Sequence, residues 1–309
     1  MPETRPRPPA DGRAIAALLA VQVCFGTFPV FGKLALAETP PMVLAAMRAI
    51  AGAAVLTLFA RVLAPDEGAP DARDRRMLLL LSLFGIVANQ TLFVSGLART
   101  TATNATLCTA STPVFTMLIA ALSGRDRPSP RRMLGVPIAL AGLLTLLDLT
   151  HLDISDRTLF GNLLILANAL SYSIFLVLSR DVLARRSAVS VTAAIFRYAA
   201  LPILLLALPD LTTFRPRALT GRAWIGIAGV LLLSTIVAYA LNMWALARTT
   251  ATTVAMFMYV QPLVAISFAR AVLGERPSPR TAAAAALIFA GVALTTWPGA
   301  VRDRLPPPP

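Results

Sequence analysis

The chain contains one stretch of 33 residues twice. Residues 99–131 and 248–280 align without a gap at an offset of 149, and both open with Arg-Thr-Thr-Ala-Thr and close with Arg-Pro-Ser-Pro-Arg. The same offset pairs the Ala-Gly step at 141–142 with the Ala-Gly step at 290–291. Because a register held over this length does not arise by chance, we expect the chain to fold as two copies of one structural unit.

Ten apolar segments run through this duplicated chain, five in each copy. The apolar fraction of 57% exceeds the roughly 45–50% of soluble domains. Most segments hold 17–24 residues, enough to cross about 30 Å of hydrocarbon at roughly 1.5 Å per helical residue. The pattern predicts an all-α membrane protein with ten transmembrane helices in two five-helix repeats. The segments are 14–37, 42–63, 77–98, 102–122, 133–148, 160–179, 188–208, 223–246, 250–272 and 281–298.

These segments also set the predicted domain boundaries. The first repeat is expected to cover 14–148 and the second 149–298. The polar, proline-rich ends, 1–13 and 299–309, are expected to be disordered cytoplasmic tails.

Counts of Lys and Arg orient the helices. If the N-terminus is inside, the cytoplasmic segments of the first repeat hold eleven Lys or Arg and its outer ends three, whereas the second repeat is even at six and six. The positive-inside rule then puts both termini in the cytoplasm of a multi-pass protein, which we place in the cell inner membrane. Because five is odd, the second repeat must enter the membrane from the opposite face. Secondary transporters build such inverted repeats around a substrate site near the midplane.

Four sequence features occur in a fixed order along the chain. They are Phe-Gly-Thr-Phe-Pro-Val-Phe-Gly-Lys at 25–33, Met47-Arg48 with Phe196-Arg197, the proline of helices 4 and 9 followed by Leu-Gly-Glu-Arg at 273–276, and the Ala-Gly step of helices 5 and 10. In this order and with their duplication, they resemble the EamA-type family of the drug/metabolite transporter superfamily over about residues 14–298. The resemblance implies ten helices, cytoplasmic termini, and export or exchange of small metabolites. Two positions depart from the family pattern: residues 125–127 read Arg-Asp-Arg where the second copy has Gly-Glu-Arg, and Gly26 follows Phe25 where the family often has Trp.

Two arginines and two prolines at matching positions inside helices are predicted to be structural or gating residues. An arginine at a helix centre costs roughly 2.5–3.5 kcal/mol on insertion scales, so Arg48 and Arg197 should each have a partner. They could attract an anionic group of the substrate, or clamp carbonyls and snorkel to an interface. The inverted topology favours the structural alternative, because it puts the two in opposite leaflets. Pro113 and Pro262 each remove one backbone hydrogen bond and should kink helices 4 and 9.

Polar and aromatic residues inside the helices form the predicted substrate site. Amides orient a polar head and aromatic rings cover an apolar body, which indicates a small amphiphile. The offset of 149 pairs Gln90 with Tyr239 and Phe93 with Asn242, so the two halves have diverged where a central site would lie. We expect a pocket between helices 3, 4, 8 and 9, with contributions from helices 1 and 6. The predicted substrate-binding residues are Gln22, Gln90, Phe93, Tyr172, Tyr239, Asn242, Trp244, Tyr259 and Gln261.

The sequence therefore indicates a secondary transporter that exports or facilitates movement of an amino acid or similar amphiphile by alternating access. Two alternatives stay open: an exchanger of anionic or phosphorylated metabolites that uses Arg48 and Arg197, and a membrane-embedded protein without transport activity. We expect no enzyme activity, cofactor or metal site, since no Walker A sequence is present, no Asp or Glu lies mid-helix, and Cys24, Cys108 and His151 form no cluster. The expected partners are a small-molecule substrate and the lipid bilayer. The net charge of +13 lies in loops rather than in a stripe, so no nucleic-acid partner is expected, and homodimer formation stays open.

Overall fold

The computed structural model describes residues 12–65, 67–125, 130–147, 156–238, 241 and 260–296. Regular structure within these ranges is entirely helical. Six of the helices are long and apolar enough to cross a membrane, and four further apolar helices are shorter. The prediction of an all-α membrane protein is therefore confirmed.

Each helix of the described ranges lies on one predicted apolar segment. The helix α3 begins at Ala72 rather than at 77, because the Asp74 N–H donates to Oδ1 of Asp71 at 2.6 Å and so caps a polar first turn. α1 begins at Gly12, inside the predicted N-terminal tail, and the rest of both tails lies outside the described residues. The helices are α1 (Gly12–Leu36), α2 (Pro41–Leu63), α3 (Ala72–Leu97), α4 (Ala102–Leu122), α5 (Pro130–Leu147), α6 (Arg157–Leu183), α7 (Ala188–Thr213), α8 (Gly221–Val237), α9 (Val260–Leu273) and α10 (Pro279–Thr296).

The Pro-Ser-Pro-Arg motif of the second repeat starts a helix. The Thr281 N–H donates to Oγ of Ser278 at 3.1 Å, and Pro279 is the first residue of α10. Proline suits this position because its missing N–H has no partner in the first turn anyway. Pro130 is likewise the first residue of α5, whereas Ser129 lies outside the described residues.

The helices of the two repeats pack on each other in a reciprocal way. α1 packs on α8 and α9, while its sequence counterpart α6 packs on α3 and α4. α2 packs on its counterpart α7, and α5 packs on its counterpart α10. The packing pattern is thus unchanged when the two repeats are exchanged.

Glycine lets the counterparts α5 and α10 approach closely. A Cβ added at Gly291 would lie 2.4 Å from the backbone nitrogen of Ala139, and one added at Gly142 would lie 2.8 Å from the backbone nitrogen of Ile288. These two glycines are the Ala-Gly steps that the offset of 149 pairs. Small residues that allow close backbone contact are a general means of packing helices within a membrane.

α3 and α8 each contain a π-helical segment at the same position in the repeat. The segments are Leu83–Ala88 in α3 and Gly229–Val237 in α8. The offset of 149 carries the first onto residues 232–237, inside the second. A π-helical segment disturbs the regular backbone pairing and is frequent at functional sites. A side chain of α6 bonds to a backbone carbonyl in the π-helical segment of α3: Ser171 Oγ donates to Phe84 O at 2.8 Å.

Polar contacts between the helix ends form two groups, at opposite ends of α4. At one end, which we call the Lys33 end, Glu275 accepts hydrogen bonds from Ala102 N and from Thr103 N and Oγ1, at 2.6 to 3.0 Å. Lys33 Nζ donates at this end to the carbonyls of Leu97 and Thr100, at 3.2 and 2.9 Å.

The other end, which we call the Asp74 end, is held by ion pairs. Arg185 Nη2 lies 2.6 Å from Oδ1 of Asp74. Arg125, which follows α4, lies 2.9 Å from Asp181. α4 and α9 are counterparts in the two repeats. Arg125, just after α4, lies at the Asp74 end, whereas Glu275, just after α9, lies at the Lys33 end.

Large apolar side chains cover the outside of the helices. Nine that are more than half exposed lie on α2, α7, α8 and α9, and five of these show the pattern. A soluble protein rarely exposes apolar residues so widely, and a lipid environment accounts for them. The five are Leu58, Val62, Leu201, Ile225 and Leu263.

Candidate functional site

Two predicted site residues meet at the centre of the bundle. Gln22 on α1 is 1% exposed, and its Oε1 accepts a hydrogen bond from Nε2 of Gln261 on α9 at 2.6 Å. A buried amide needs such a partner, because an unpaired one costs about 1–3 kcal/mol. The contact joins the first repeat to the second, between the interior of α1 and the start of α9.

Arg48 is buried beside α1 and α8. It is 6% exposed, its guanidinium carbon lies 4.2 Å from the centroid of the Phe28 ring, and its Nε donates to Oγ1 of Thr235 at 3.4 Å. The Phe28 ring in turn stacks on Phe93, with centroids 4.7 Å apart. Side chains of α8, α2, α1 and α3 thus form one continuous row.

Gln90 lies one turn before Phe93 on α3. It is 2% exposed, and its Oε1 has no hydrogen-bond partner among the described residues. Gln90, Phe93 and Leu97 share one face of α3, since residues three or four apart are neighbours on a helix. Phe93 contacts Phe28 of α1. Leu97 contacts Gly32 of α1, since a Cβ added at Gly32 would lie 2.7 Å from Cδ2 of Leu97. Because α1 and α3 run parallel in this register, Gln90 lies near the level of residue 25 of α1.

The backbone of α1 takes part at this level too. Ser234 of α8 is fully buried, and its Oγ donates to the carbonyl of Cys24 at 3.0 Å. We call this set of groups, all buried except the half-buried Gln261, the polar layer. Its members are Gln22, Arg48, Gln90, Ser234, Thr235 and Gln261, with the stacked rings of Phe28 and Phe93.

α4 is interrupted beside Pro113, at Ala110 and Ser111. The proline leaves the carbonyl of Thr109 without its usual helical partner, and the hydroxyl of Thr112 donates to that carbonyl at 2.7 Å. Ser173 of α6 braces the break by donating to the carbonyl of Thr112 at 3.0 Å. Pro262 is buried near the start of α9, and the carbonyl of Met258 that it would release lies outside the described residues.

The two predicted arginines occupy different environments. Arg197 is exposed on the outside of α7, while the neighbouring Phe196 is fully buried against Gly52 of α2. In the second repeat the aromatic residue of the pair therefore points inward, whereas in the first repeat the arginine is buried. The two guanidinium groups do not share a site.

The remaining predicted site residues divide into two groups. Tyr172 is half-buried on α6 and stacks on Phe175, with ring centroids 5.5 Å apart. Phe175 packs on the π-helical segment of α3, since an added Cβ at Gly85 would lie 2.5 Å from its Cδ2. Four other predicted residues lie outside the described residues: Tyr239, Asn242, Trp244 and Tyr259.

Sequence reasoning missed three members of the polar layer: Phe28, Ser234 and Thr235. Phe28 belongs to the motif at 25–33, so that motif was a usable signal. Ser234 and Thr235 lie in an apolar run, where small hydroxyl residues commonly bond to their own helix and give no distinctive pattern. A separate surface depression of about 310 Å³, which Glu38, Pro40 and Phe214 help to line, lies at the Lys33 end and not at the polar layer.

Comparison with known proteins gives consistent matches over nearly the whole chain. The model of the EamA-like transporter family matches twice, at residues 12–147 and 159–297. A protein of Archaeoglobus fulgidus described as an uncharacterized transporter is 28% identical over 286 residues, which is 90% of this chain and 95% of that protein. A Bacillus subtilis protein with the same description is 22% identical over 264 residues, 85% of this chain and 80% of that one. A crystal structure with 22% sequence identity shares the fold, with a TM-score of 0.62 over 92% of this chain and 98% of that one.

Proposed function

Because the chain belongs to the EamA-like transporter family, we propose that this membrane transporter is a secondary transporter of the cell inner membrane. It exports, or facilitates the movement of, a small amphiphilic metabolite such as an amino acid. Membership of a transporter family supports a protein without catalytic activity.

The polar layer is the observation that carries this proposal. It combines amide, guanidinium and hydroxyl groups with two stacked aromatic rings, inside helices whose outer faces are apolar. Polar groups at this depth are costly and usually mark a substrate path. The amides suit a polar head and the rings of Phe28 and Phe93 an apolar body. We propose that Gln22, Gln90, Phe93 and Gln261 contact substrate, with Tyr172, Tyr239, Asn242, Trp244 and Tyr259 as further candidates.

We propose ten membrane spans in two inverted repeats, with cytoplasmic termini. Two observations support this arrangement. The packing pattern is unchanged when the repeats are exchanged, and the counterparts α4 and α9 end at opposite ends of the molecule. The excess of Lys and Arg in the first repeat then assigns the Asp74 end to the cytoplasm.

Alternating access requires that contacts between the repeats break at one end at a time. At the Lys33 end, Glu275 of the second repeat holds the N-terminus of α4 in the first. At the Asp74 end, Asp74 and Arg125 of the first repeat pair with Arg185 and Asp181 of the second. We propose that these two sets of contacts open in turn and expose the polar layer to one side and then to the other.

Because Arg48 is buried in the polar layer, a second candidate function is the exchange of carboxylated or phosphorylated metabolites. A guanidinium group recognises both anions well. Its present contacts with Phe28 and Thr235 support a structural role for Arg48, and the outward position of Arg197 argues against substrate contact by that arginine. The amphiphile transporter is therefore our first proposal.

Counterflow in proteoliposomes tests the proposal. The purified chain is reconstituted and loaded with each member of a panel of amino acids, nucleobases and phosphorylated metabolites, and uptake of the labelled solute is measured. We expect counterflow for at least one amphiphilic solute, and a loss of at least about tenfold in apparent affinity when Gln261→Leu removes one amide. Leu263→Ala on the outer face of the same helix is the matched control and should transport like the parent. No flux of any solute would contradict the proposal, and flux confined to anions would favour the exchanger.

A further inference from the structure

Within the polar layer, Gln90 differs from the other amides. Oε1 of Gln22 accepts a hydrogen bond from Nε2 of Gln261, whereas Oε1 of Gln90 is buried and accepts no hydrogen bond from any described residue. A buried acceptor left unpaired destabilises a protein by its full desolvation cost. Such a group in a native structure needs an explanation, and a functional site is one.

The surroundings of this oxygen indicate a ligand. Gln90 shares a helical face with Phe93, whose ring stacks on Phe28. It also follows the π-helical segment Leu83–Ala88 by two residues, and such segments are frequent at functional sites. An acceptor oxygen beside aromatic rings can take an N–H donor of a ligand whose apolar body lies on the rings.

The charge of Arg48 restricts what that ligand is. The guanidinium carbon lies 4.2 Å from the centroid of the Phe28 ring, which is itself 4.7 Å from the centroid of Phe93, one helical turn from Gln90. A positive charge at this range in an interior of low dielectric disfavours a ligand that is a net cation. A zwitterion carries the N–H donor without that cost, because its carboxylate offsets its ammonium.

We propose that Oε1 of Gln90 accepts a hydrogen bond from the ammonium group of a zwitterionic substrate, and that this bond sets specificity for α-amino acids over their desamino analogues. This inference rests on the proposed function, since it assigns a substrate class to the same site. Among the described residues the oxygen has no hydrogen-bond partner, and the substrate supplies one.

A stability measurement separates this role from a structural one. Gln90→Met removes the amide at nearly constant volume, and Gln22→Met is the matched control. Since Gln22 is hydrogen-bonded and Oε1 of Gln90 is not, thermal unfolding of the full chain in detergent without solute should show opposite effects. Gln22→Met should lower the midpoint, and Gln90→Met should leave it unchanged or raise it. A midpoint that falls equally in both variants would overturn the inference.

Counterflow in proteoliposomes tests the specificity with three related solutes: L-leucine, 4-methylpentanoate without the ammonium, and 3-methylbutylamine without the carboxylate. The parent should prefer L-leucine over each of the other two by about tenfold or more, and Gln90→Met should lose most of the preference over 4-methylpentanoate. An unchanged preference in Gln90→Met would overturn the inference while leaving the proposed function intact. A parent that moves none of the three contradicts the proposed function for this class of solute, and the inference with it.

Discussion

The environment of a single side chain decides what the duplicated arginines do. Arg48 and Arg197 occupy equivalent sequence positions, yet only Arg48 is buried. The difference follows from the neighbouring residue, since Phe196 fills the inward position of α7 and turns Arg197 outward. Two residues at equivalent positions in the two repeats therefore need not have the same role.

Alanine substitutions at the two arginines should have unequal effects. Arg48→Ala removes the contact with Phe28, worth about 2 kcal/mol when desolvated, and leaves a void between α1, α2 and α8. We expect a lower thermal midpoint and a lower folded yield in detergent, with substrate affinity changed only a few-fold. Arg197→Ala is the matched control and should behave like the parent. Normal folding of Arg48→Ala with an affinity loss of about tenfold or more would instead identify Arg48 as a substrate anchor.

At this scale the sequence predicted the buried amides better than the rings. Gln22, Gln90 and Gln261 stood out because polar residues are rare in apolar segments. Phe93 stood out because the offset of 149 pairs it with Asn242. Phe28 could not be ranked above the other phenylalanines, because in a helix that is apolar all round the sequence does not show which face meets the neighbouring helices. That Gln22 pairs with Gln261, while Oε1 of Gln90 has no partner among the described residues, depends on three-dimensional packing alone.

Among the helices, the pair α5 and α10 depends on backbone contact. Gly291→Ala would place a Cβ 2.4 Å from the Ala139 nitrogen, so the two helices must separate. We expect a loss of about 1–3 kcal/mol, as for overpacked cores, measured as a lower thermal midpoint. Gly221→Ala is the matched control, because nothing lies within 4 Å of the Cβ that it adds. Equal midpoints for the two variants would show that α5 and α10 tolerate the separation.

The start of α7 should be sensitive to pH through Glu67. Burial would raise the pKa of this carboxyl group, but hydrogen bonds from Ser187 and Ser190 and the charge of Arg186, 3.1 Å away, lower it below its usual 4.5. A lowered folded-state pKa means that the stabilisation is present above pH 4.5 and is lost as the pH falls through the folded value. The thermal midpoint of the parent should therefore fall in that range. Glu67→Gln should show a smaller fall, and identical pH profiles would contradict this assignment.

Helix positions were largely predictable, whereas their internal irregularities were not. Apolar segments located the six long and the four shorter apolar helices of the described ranges, because the bilayer sets the length and composition of a membrane helix. The π-helical segments of α3 and α8 have no signature in composition. The start of α3 was predicted five residues too late, because Asp71 caps the helix before the apolar residues begin.

For the molecule as a whole, the inverted topology makes a direct prediction. Ser123 follows α4 and Ser278 precedes α10, and both are exposed. Single cysteines at these positions, in a Cys24→Ala and Cys108→Ala background, should react with a membrane-impermeant maleimide from opposite sides of the membrane. Permeabilised cells provide the control for access. Reaction of both from the same side would contradict the inverted arrangement.

The central claim is that the two repeats open one end at a time around the polar layer. Two double-cysteine variants in the same background test it: Thr103→Cys with Glu275→Cys at the Lys33 end, and Asp74→Cys with Arg185→Cys at the Asp74 end. A short bifunctional methanethiosulfonate reagent joins each pair, dithiothreitol releases it, and counterflow is measured in both states. Either cross-link alone should abolish counterflow, and release should restore it. Counterflow that continues with each end cross-linked would contradict alternating access.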